Sequence, residues 1–178
     1  MARRLLIILI AVSAVAIFAV SVIAADTAKV TGEKAKHEYV GVKSCKICHT
    51  KDGVHPSWLE TKHAKAWDNL KPEQQKDAKC VTCHSTGTTA TGELLTGVQC
   101  ETCHGPGSAY KAMSIMKDKK VAMENGLLIP DEKTCLKCHN ENVPPEFRSK
   151  EKWDYARMKT IGVHAMAADS TAAKTGAK

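Results

Sequence analysis

The chain has few aromatic side chains. Two Phe, three Trp and three Tyr stand among its 178 residues, which would give a poor hydrophobic core for a domain of this length. Apolar mass that the polypeptide does not carry itself is therefore expected to contribute to folding.

The chain also has no cysteine outside one repeated pentapeptide. Its eight cysteines all lie in CKICH (45–49), CVTCH (80–84), CETCH (100–104) and CLKCH (135–139). C-x-x-C-H is typical of c-type heme attachment, because two thiols three positions apart add to the two vinyl groups of one porphyrin while the adjacent imidazole reaches the iron. A structural zinc site has no use for a histidine after every cysteine pair, and a redox dithiol normally occurs once, on a thioredoxin-like unit.

The sequence therefore predicts four covalently attached heme c groups and no disulfide. The predicted attachment residues are Cys45, Cys48, Cys80, Cys83, Cys100, Cys103, Cys135 and Cys138. The predicted proximal iron ligands are His49, His84, His104 and His139.

Residues 1–25 have the layout of a secretory signal peptide: MARR, an apolar run from Leu5 to Ile23, and small residues before Asp26. Attachment of c-type heme follows export, so the pattern predicts a periplasmic protein. The apolar run approaches the length that spans a bilayer, and a retained inner-membrane anchor stays open as the alternative.

The chain does not have the strong positive charge of a nucleic-acid-binding protein. Residues 1–25 contain Arg3 and Arg4 and no acidic residue, so their removal lowers the formal net charge from +7 to +5. Ionised propionates on four hemes would then bring it to about −3, and nucleic acid is not an expected partner. The mixed, lysine-rich surface is suited to transient docking with redox partner proteins, whose identity the sequence does not give, or is simply a solvated face. A membrane partner is expected only if the N-terminal segment is retained.

We predict a flexible leader at 26–38, one tetraheme domain at 39–166 and a disordered tail at 167–178. The domain is expected to be mainly α, with short helices and long loops packed around the hemes and almost no sheet. One helix is predicted to begin at Pro56 and Ser57, with Ser57 and Glu60 as a capping box, and to end at LKP (70–72). Others are predicted at 108–126 and 149–167, with glycine-rich turns such as STGTTATGE between heme sites.

Four histidines remain as candidates for the distal side of the irons. His63 lies at helical spacing with Leu59, Ala66, Trp67 and Leu70 and would point from one face of its helix. His164 lies in the predicted C-terminal helix. His37 precedes the first motif by enough chain to pass around a heme edge, whereas His55 follows His49 too closely to reach the far side of the same heme easily. An isolated histidine is otherwise usually a surface residue.

A thioether is the other candidate ligand. Met113 and Met116 lie on neighbouring turns of the predicted 108–126 helix, and a methionine ligand would raise the potential of its heme. Methionines at this spacing are more often core residues.

Three blocks, YVGVKSCKICH, SWLETKHAKAW and LTGVQCETCHGPGS, occur in this order before a fourth CxxCH. Over about residues 39–166 the chain thereby resembles the tetraheme cytochrome c-554 family. The resemblance implies a mostly helical fold, closely packed hemes, His63 and His164 as distal ligands, and one five-coordinate iron at the position matched by CVTCHSTG, that of His84. The chain departs from the family in being shorter and in having no histidine between His104 and His139, where the family usually places a distal ligand.

Nothing in the sequence resembles a nucleotide site, a hydrolytic triad or a second metal site. We therefore predict a periplasmic electron carrier and not an enzyme, with a side activity left open at a five-coordinate heme. One alternative is a heme enzyme acting on nitric oxide, nitrite or hydroxylamine at such an open site. The other is a membrane-anchored quinol dehydrogenase, although those proteins usually carry a methionine close behind the first CxxCH and CKICHTKDG has none.

Overall fold

A computed structural model describes residues 37–165 of the chain. The predicted signal segment, nearly all of the leader and the tail lie outside these residues. The helices are α1 Val42–His49, α2 Val54–Leu59, α3 Ala78–His84, α4 Cys100–His104, α5 Met113–Met116, α6 Lys119–Glu124, α7 Glu132–Leu136 and α8 Tyr155–Ile161, with 3-10 turns at Trp67–Asn69, Gln74–Lys76 and Pro145–Phe147. Between residues 37 and 165, no helix has the length and apolar character needed to cross a membrane.

Short helices and long loops dominate this fold, as the sequence predicts. The single described sheet is a hairpin of β1 Ser85–Thr88 and β2 Leu94–Thr96, with Ser85 opposite Thr96. The hairpin occupies the stretch predicted as a glycine-rich turn. It follows α3 directly, so it is anchored to the second CxxCH motif.

Aspartates begin two of the motif helices. Asp77 caps α3 by accepting a hydrogen bond from the Lys79 backbone N–H (2.9 Å). Asp131 caps α7 by accepting from the Thr134 N–H (3.0 Å), and the Thr134 hydroxyl oxygen accepts from the Asp131 N–H (3.3 Å). Such caps satisfy amide donors that a short helix would otherwise leave free.

A buried carboxylate joins the start of the described chain to the third motif. Glu101 is 1% exposed and accepts hydrogen bonds from the backbone N–H groups of Val40 (3.0 Å), Gly41 (2.7 Å) and Gly107 (2.6 Å). A carboxylate with three amide donors is fully compensated for its burial. Glu101 thereby holds the segment before α1 against α4.

The predicted helix at 56–70 is wrong in its extent. The structure begins α2 at Val54 after Gly53, without the Ser57–Glu60 capping box, and ends it at Leu59. Thr61 then makes a local turn, in which its hydroxyl donates to the Trp58 carbonyl and accepts from the Ala64 N–H. The His63 carbonyl accepts from the Val98 N–H (3.0 Å), so bonds to a distant segment replace helical ones.

The two other predicted helices are also shorter than expected. The 108–126 stretch holds α5 and α6, separated where Asp118 accepts from the N–H groups of Lys120 and Val121 and starts a new helix. The described part of the 149–167 stretch, residues 149–165, holds α8 alone, which begins after Asp154 and is followed by Gly162. Internal capping residues interrupt the helical periodicity in both stretches.

The polypeptide buries few large apolar side chains against itself. Its buried hydrophobic residues are Ala66, Leu70, Leu95, Val98, Tyr110 and Ala122. Large apolar side chains such as Ile47, Met113 and Phe147 are 78%, 72% and 63% exposed. This distribution agrees with the shortage of core-forming residues in the sequence.

Candidate heme-binding sites

Each CxxCH motif forms one helical turn. α1, α3 and α4 end at His49, His84 and His104, and in the fourth motif the His139 N–H bonds to the Cys135 carbonyl (3.0 Å). Positions i and i+3 of a helix lie on one side, so the two cysteines of each motif face the same direction with the histidine beside them. All eight cysteines are free thiols, as attachment to a porphyrin requires.

The motifs lie close together in pairs. The thiols of Cys45 and Cys100 approach within hydrogen-bonding reach, and this contact raises the pKa of Cys45 and lowers that of Cys100. Burial, with the nearby Cys83, raises the pKa of Cys138 to about 12. The first motif therefore neighbours the third, and the second neighbours the fourth. The third also neighbours the fourth, since burial and the nearby Cys135 raise the pKa of Cys103.

Three of the four motif histidines have their Nδ1 atom engaged in a hydrogen bond. His84 Nδ1 bonds to the Ala66 carbonyl (2.6 Å), His104 Nδ1 to the Leu128 carbonyl (3.0 Å), and His49 Nδ1 to the Asp52 carboxylate (2.6 Å). An iron-ligating histidine usually donates its second ring N–H in this way, which fixes the ring and leaves Nε2 for the metal. These rings therefore fit the role of heme ligands.

Two pairs of histidine rings face each other at a distance suited to an iron. The ring centroids of His63 and His139 are 5.9 Å apart, and those of His104 and His164 are 6.0 Å apart. A metal bound to two imidazole nitrogens at about 2 Å each separates the ring centroids by roughly 6 Å. Each pair joins a motif histidine to one of the two distal candidates that the sequence favours most.

Burial keeps three of these rings in the neutral form that binds metals. It lowers the pKa of His63, His104 and His139 below the usual value for histidine. Neutral imidazole offers a nitrogen lone pair, whereas imidazolium does not.

The remaining ligand candidates lie elsewhere. The His37 ring packs on Gly126, where an added Cβ would come within 2.4 Å of it, and the His55 ring lies 5.7 Å from that of Trp58. Met113 is largely exposed and Met116 half-buried. Across residues 37–165, neither His49 nor His84 has a second imidazole at the spacing of the two facing pairs.

The contacts of three residues around the motifs were not predicted from the sequence. Asp52 holds His49, and Trp153 stacks on His139 with centroids 5.2 Å apart. Glu101 carried a detectable signal, since it is the only acidic residue inside any of the four motifs. Helical spacing places Trp153 with His164 on one side of the predicted 149–167 helix, which does not indicate its contact with His139. Asp52 lies in a loop, where no periodicity marks it.

The described residues bring no three His, Cys, Asp or Glu side chains together as a group that could hold a metal ion. Each motif instead offers a pair of cysteines beside one histidine, and in two motifs a second histidine ring faces the first. Four such units on short helices define a multiheme c-type cytochrome.

Comparisons with known proteins give similarities to one family. The family model described as cytochrome c554 and c-prime matches residues 44–105. Cytochrome c-554 of Nitrosomonas europaea is 36% identical in a match that covers 41% of this chain and 40% of that protein. The solved structure of reduced cytochrome c554 from the same organism superposes with a TM-score of 0.52 at 25% identity, covering 71% of this chain and 84% of the other.

The chain is thus similar, in the matched sequence and in fold, to the cytochrome c-554 family of tetraheme c-type cytochromes, whose cofactor is covalently bound heme c. The sequence match spans less than half the length of the curated relative.

Proposed function

We propose that the protein is a periplasmic electron carrier that takes electrons from one redox partner and passes them to another. Heme c supplies the one-electron ferric–ferrous couple. The observation that carries the proposal is the presence of two facing histidine pairs, at 5.9 and 6.0 Å, each joined to a CxxCH motif. Two imidazoles that occupy both sides of an iron leave no position for a substrate, and such a site exchanges electrons only.

The eight motif cysteines attach the hemes, and His49, His84, His104 and His139 are the proximal ligands. His63 is the distal ligand opposite His139, and His164 is the distal ligand opposite His104. The fixed rings hold ligand geometry constant between oxidation states, which keeps the reorganisation that accompanies electron transfer small.

Pairing of the motifs supports passage of electrons through the chain. Cys45 lies at Cys100, and Cys83 at Cys138. Hemes attached at such neighbouring cysteines are close enough to exchange electrons within each pair. Exposed Lys43 and Lys46 on α1 suit brief contacts with an acidic partner.

The test is to compare electron transfer with substrate turnover in the exported protein carrying four hemes. Intact mass establishes heme stoichiometry, and stopped-flow spectroscopy follows reduction by a small-molecule reductant and reoxidation by a monoheme cytochrome c. We expect fast exchange of four electrons per chain. Steady-state turnover of hydroxylamine, nitrite or nitric oxide at a rate that exceeds this exchange would contradict the proposal and favour the enzyme alternative. The mature N-terminus, read by mass, separates a cleaved signal from a retained anchor.

A further inference from the structure

Asp52 distinguishes His49 from the other motif histidines. The Asp52 Oδ2 atom lies 2.6 Å from His49 Nδ1, whereas His84 and His104 give the same nitrogen to backbone carbonyls. A carboxylate is a charged acceptor, and its hydrogen bond to the ring is stronger than that of a neutral carbonyl.

The local chain fixes the carboxylate in place. Its other oxygen, Oδ1, accepts a hydrogen bond from the Val54 N–H (3.0 Å). Gly53 follows in the left-handed region, with φ of 81°, and this reversal at the start of α2 turns Asp52 back toward the end of α1. The two oxygens are thus committed to two separate donors, and the one facing His49 does not depend on a freely rotating side chain.

A negative acceptor on Nδ1 draws the ring proton toward itself and makes Nε2 more electron-rich. A more basic axial nitrogen stabilises ferric over ferrous iron, so the reduction potential of that heme falls. The Asp52 and His49 side chains are 31% and 36% exposed, so water screens part of this effect.

We infer that Asp52 is a positioning residue that lowers the reduction potential of the heme held by His49 relative to the same heme with a neutral acceptor. This inference rests on the proposed electron-carrier function. It implies that the His49 heme accepts its electron later, and releases it earlier, than its axial ligands alone would dictate.

The experiment is a spectroelectrochemical titration of the four-heme protein and of D52N. This substitution keeps an acceptor oxygen and removes the charge. We expect the midpoint potential of one of the four one-electron waves to rise by at least about 59 mV, which is a tenfold change in its reduction equilibrium constant. The midpoint potentials of the other waves should move much less. The low-spin electron paramagnetic resonance signal of that one heme should change as well, which a purely structural role would not produce.

D77N is the matched control. Asp77 is likewise a negatively charged residue beside a CxxCH helix, but its carboxylate accepts from the Lys79 N–H and touches no motif histidine. D77N should leave all four waves in place. Equal shifts in D52N and D77N, or a uniform shift of all four waves in D52N, would overturn the inference, as would four unchanged waves in D52N.

Two further variants keep the test decisive if D52N does not accumulate with four hemes. D52E retains the charge and should keep the midpoint potential of this heme low. D52S retains only a neutral acceptor and should raise that midpoint potential. Identical potentials in these two variants would overturn the inference. Failure of the electron-carrier proposal itself would appear differently, as steady-state turnover of hydroxylamine, nitrite or nitric oxide by the unaltered protein with unchanged potentials.

Discussion

Single residues account for the ligand sets, and His63 and His164 are the most direct to test. Each ring faces a motif histidine at the distance that two iron-bound imidazoles have. We expect His63→Ala to open the heme of the fourth motif and His164→Ala that of the third. In each variant one iron should become high-spin and bind carbon monoxide at a site closed in the unaltered protein.

His55→Ala is the control for both variants. His55 lies beside Trp58 and faces no motif histidine in the described residues, so its removal should leave all four spectra unchanged. We expect His164→Ala to disturb folding less than His63→Ala, because His164 lies near the chain end, where local opening costs little. A low-spin spectrum identical to the parent in His63→Ala would show that its ring merely packs against the protein.

Glu101 is the residue whose loss should cost most stability. Its carboxylate accepts from three backbone N–H groups while only 1% exposed. Glu101→Ala leaves these buried donors unpaired, and we expect the free energy of unfolding to fall by roughly 3–5 kcal/mol, with a loss of about 2 kcal/mol in Glu101→Gln.

Chemical denaturation of the four-heme protein measures both changes. Glu124→Gln, an exposed substitution on α6, should change stability by less than about 0.5 kcal/mol. If Glu101→Ala matched that control, the three hydrogen bonds would carry no net stabilisation.

At the scale of the element, two glycines with positive φ lie in or beside the hairpin, and one of them approaches the His63 loop. Gly97 has φ of 77°, and an added Cβ would lie 3.0 Å from the Ala64 carbonyl oxygen. Gly92 has φ of 87° with nothing within 4 Å. We expect Gly92→Ala to cost about 1–2 kcal/mol from the backbone alone, and Gly97→Ala to cost more because the His63 loop must also move.

Thermal unfolding of both variants separates the backbone penalty from the contact. Gly97→Ala should in addition perturb the spectrum of the heme to which His63 is the proposed distal ligand, whereas Gly92→Ala should not. Equal destabilisation with unchanged spectra would mean that the Gly97–Ala64 approach is not needed to place His63.

Elements were less predictable from the sequence than motifs. The CxxCH turns were identified directly, since their chemistry depends on spacing alone, and the mainly helical class with short elements is confirmed. Helix lengths were overestimated at 56–70, 108–126 and 149–167. These stretches do have apolar residues at helical spacing. However, Thr61, Asp118 and Asp154 offer local hydrogen bonds that end or restart a helix. Contacts with distant segments, such as Val98, decide whether the helix continues or stops.

The same limit applies to the site. His63 and His164 could be ranked from position and family resemblance, yet their partners could not, because pairing with His139 and His104 depends on how the loops fold. Asp52 lies only three residues after His49, but its contact depends on the reversal at Gly53. The stacking of Trp153 on His139 depends on how the loop between them folds.

For the whole molecule, the small polypeptide core predicts that folding depends on the cofactor. Among residues 37–165, six hydrophobic residues are buried and eleven large apolar side chains are exposed. We expect residues 26–178 produced without heme attachment to be largely unfolded, because a group that binds only the folded state supplies its stability.

Far-ultraviolet circular dichroism and amide chemical-shift dispersion measure this directly. The same residues exported and matured with four hemes are the control and should be folded. A cooperative thermal transition in the heme-free chain would show that the polypeptide core suffices.

The count of ligands over the whole molecule leads to the last prediction. Four irons need distal partners, and His63 and His164 are the proposed partners of two of them. Two irons, those of His49 and His84, then remain; His55 lies beside Trp58 and Met113 is largely exposed, so His37 is the candidate for one of the two. We therefore expect one iron, that of His84, to lack a sixth protein ligand, in keeping with the position that CVTCHSTG matches in the family.

Low-temperature electron paramagnetic resonance of the oxidised protein tests this expectation. One high-spin heme among four supports an open His84 site, and it should bind carbon monoxide after reduction. A methionine-to-iron charge-transfer band near the red edge of the visible spectrum would instead assign Met113 or Met116 as the ligand, at a higher potential than a bis-histidine heme. His37→Ala and His55→Ala then serve as paired variants: four low-spin bis-histidine signals in the parent, with one lost in either variant, would contradict the open site and identify the histidine that closes it.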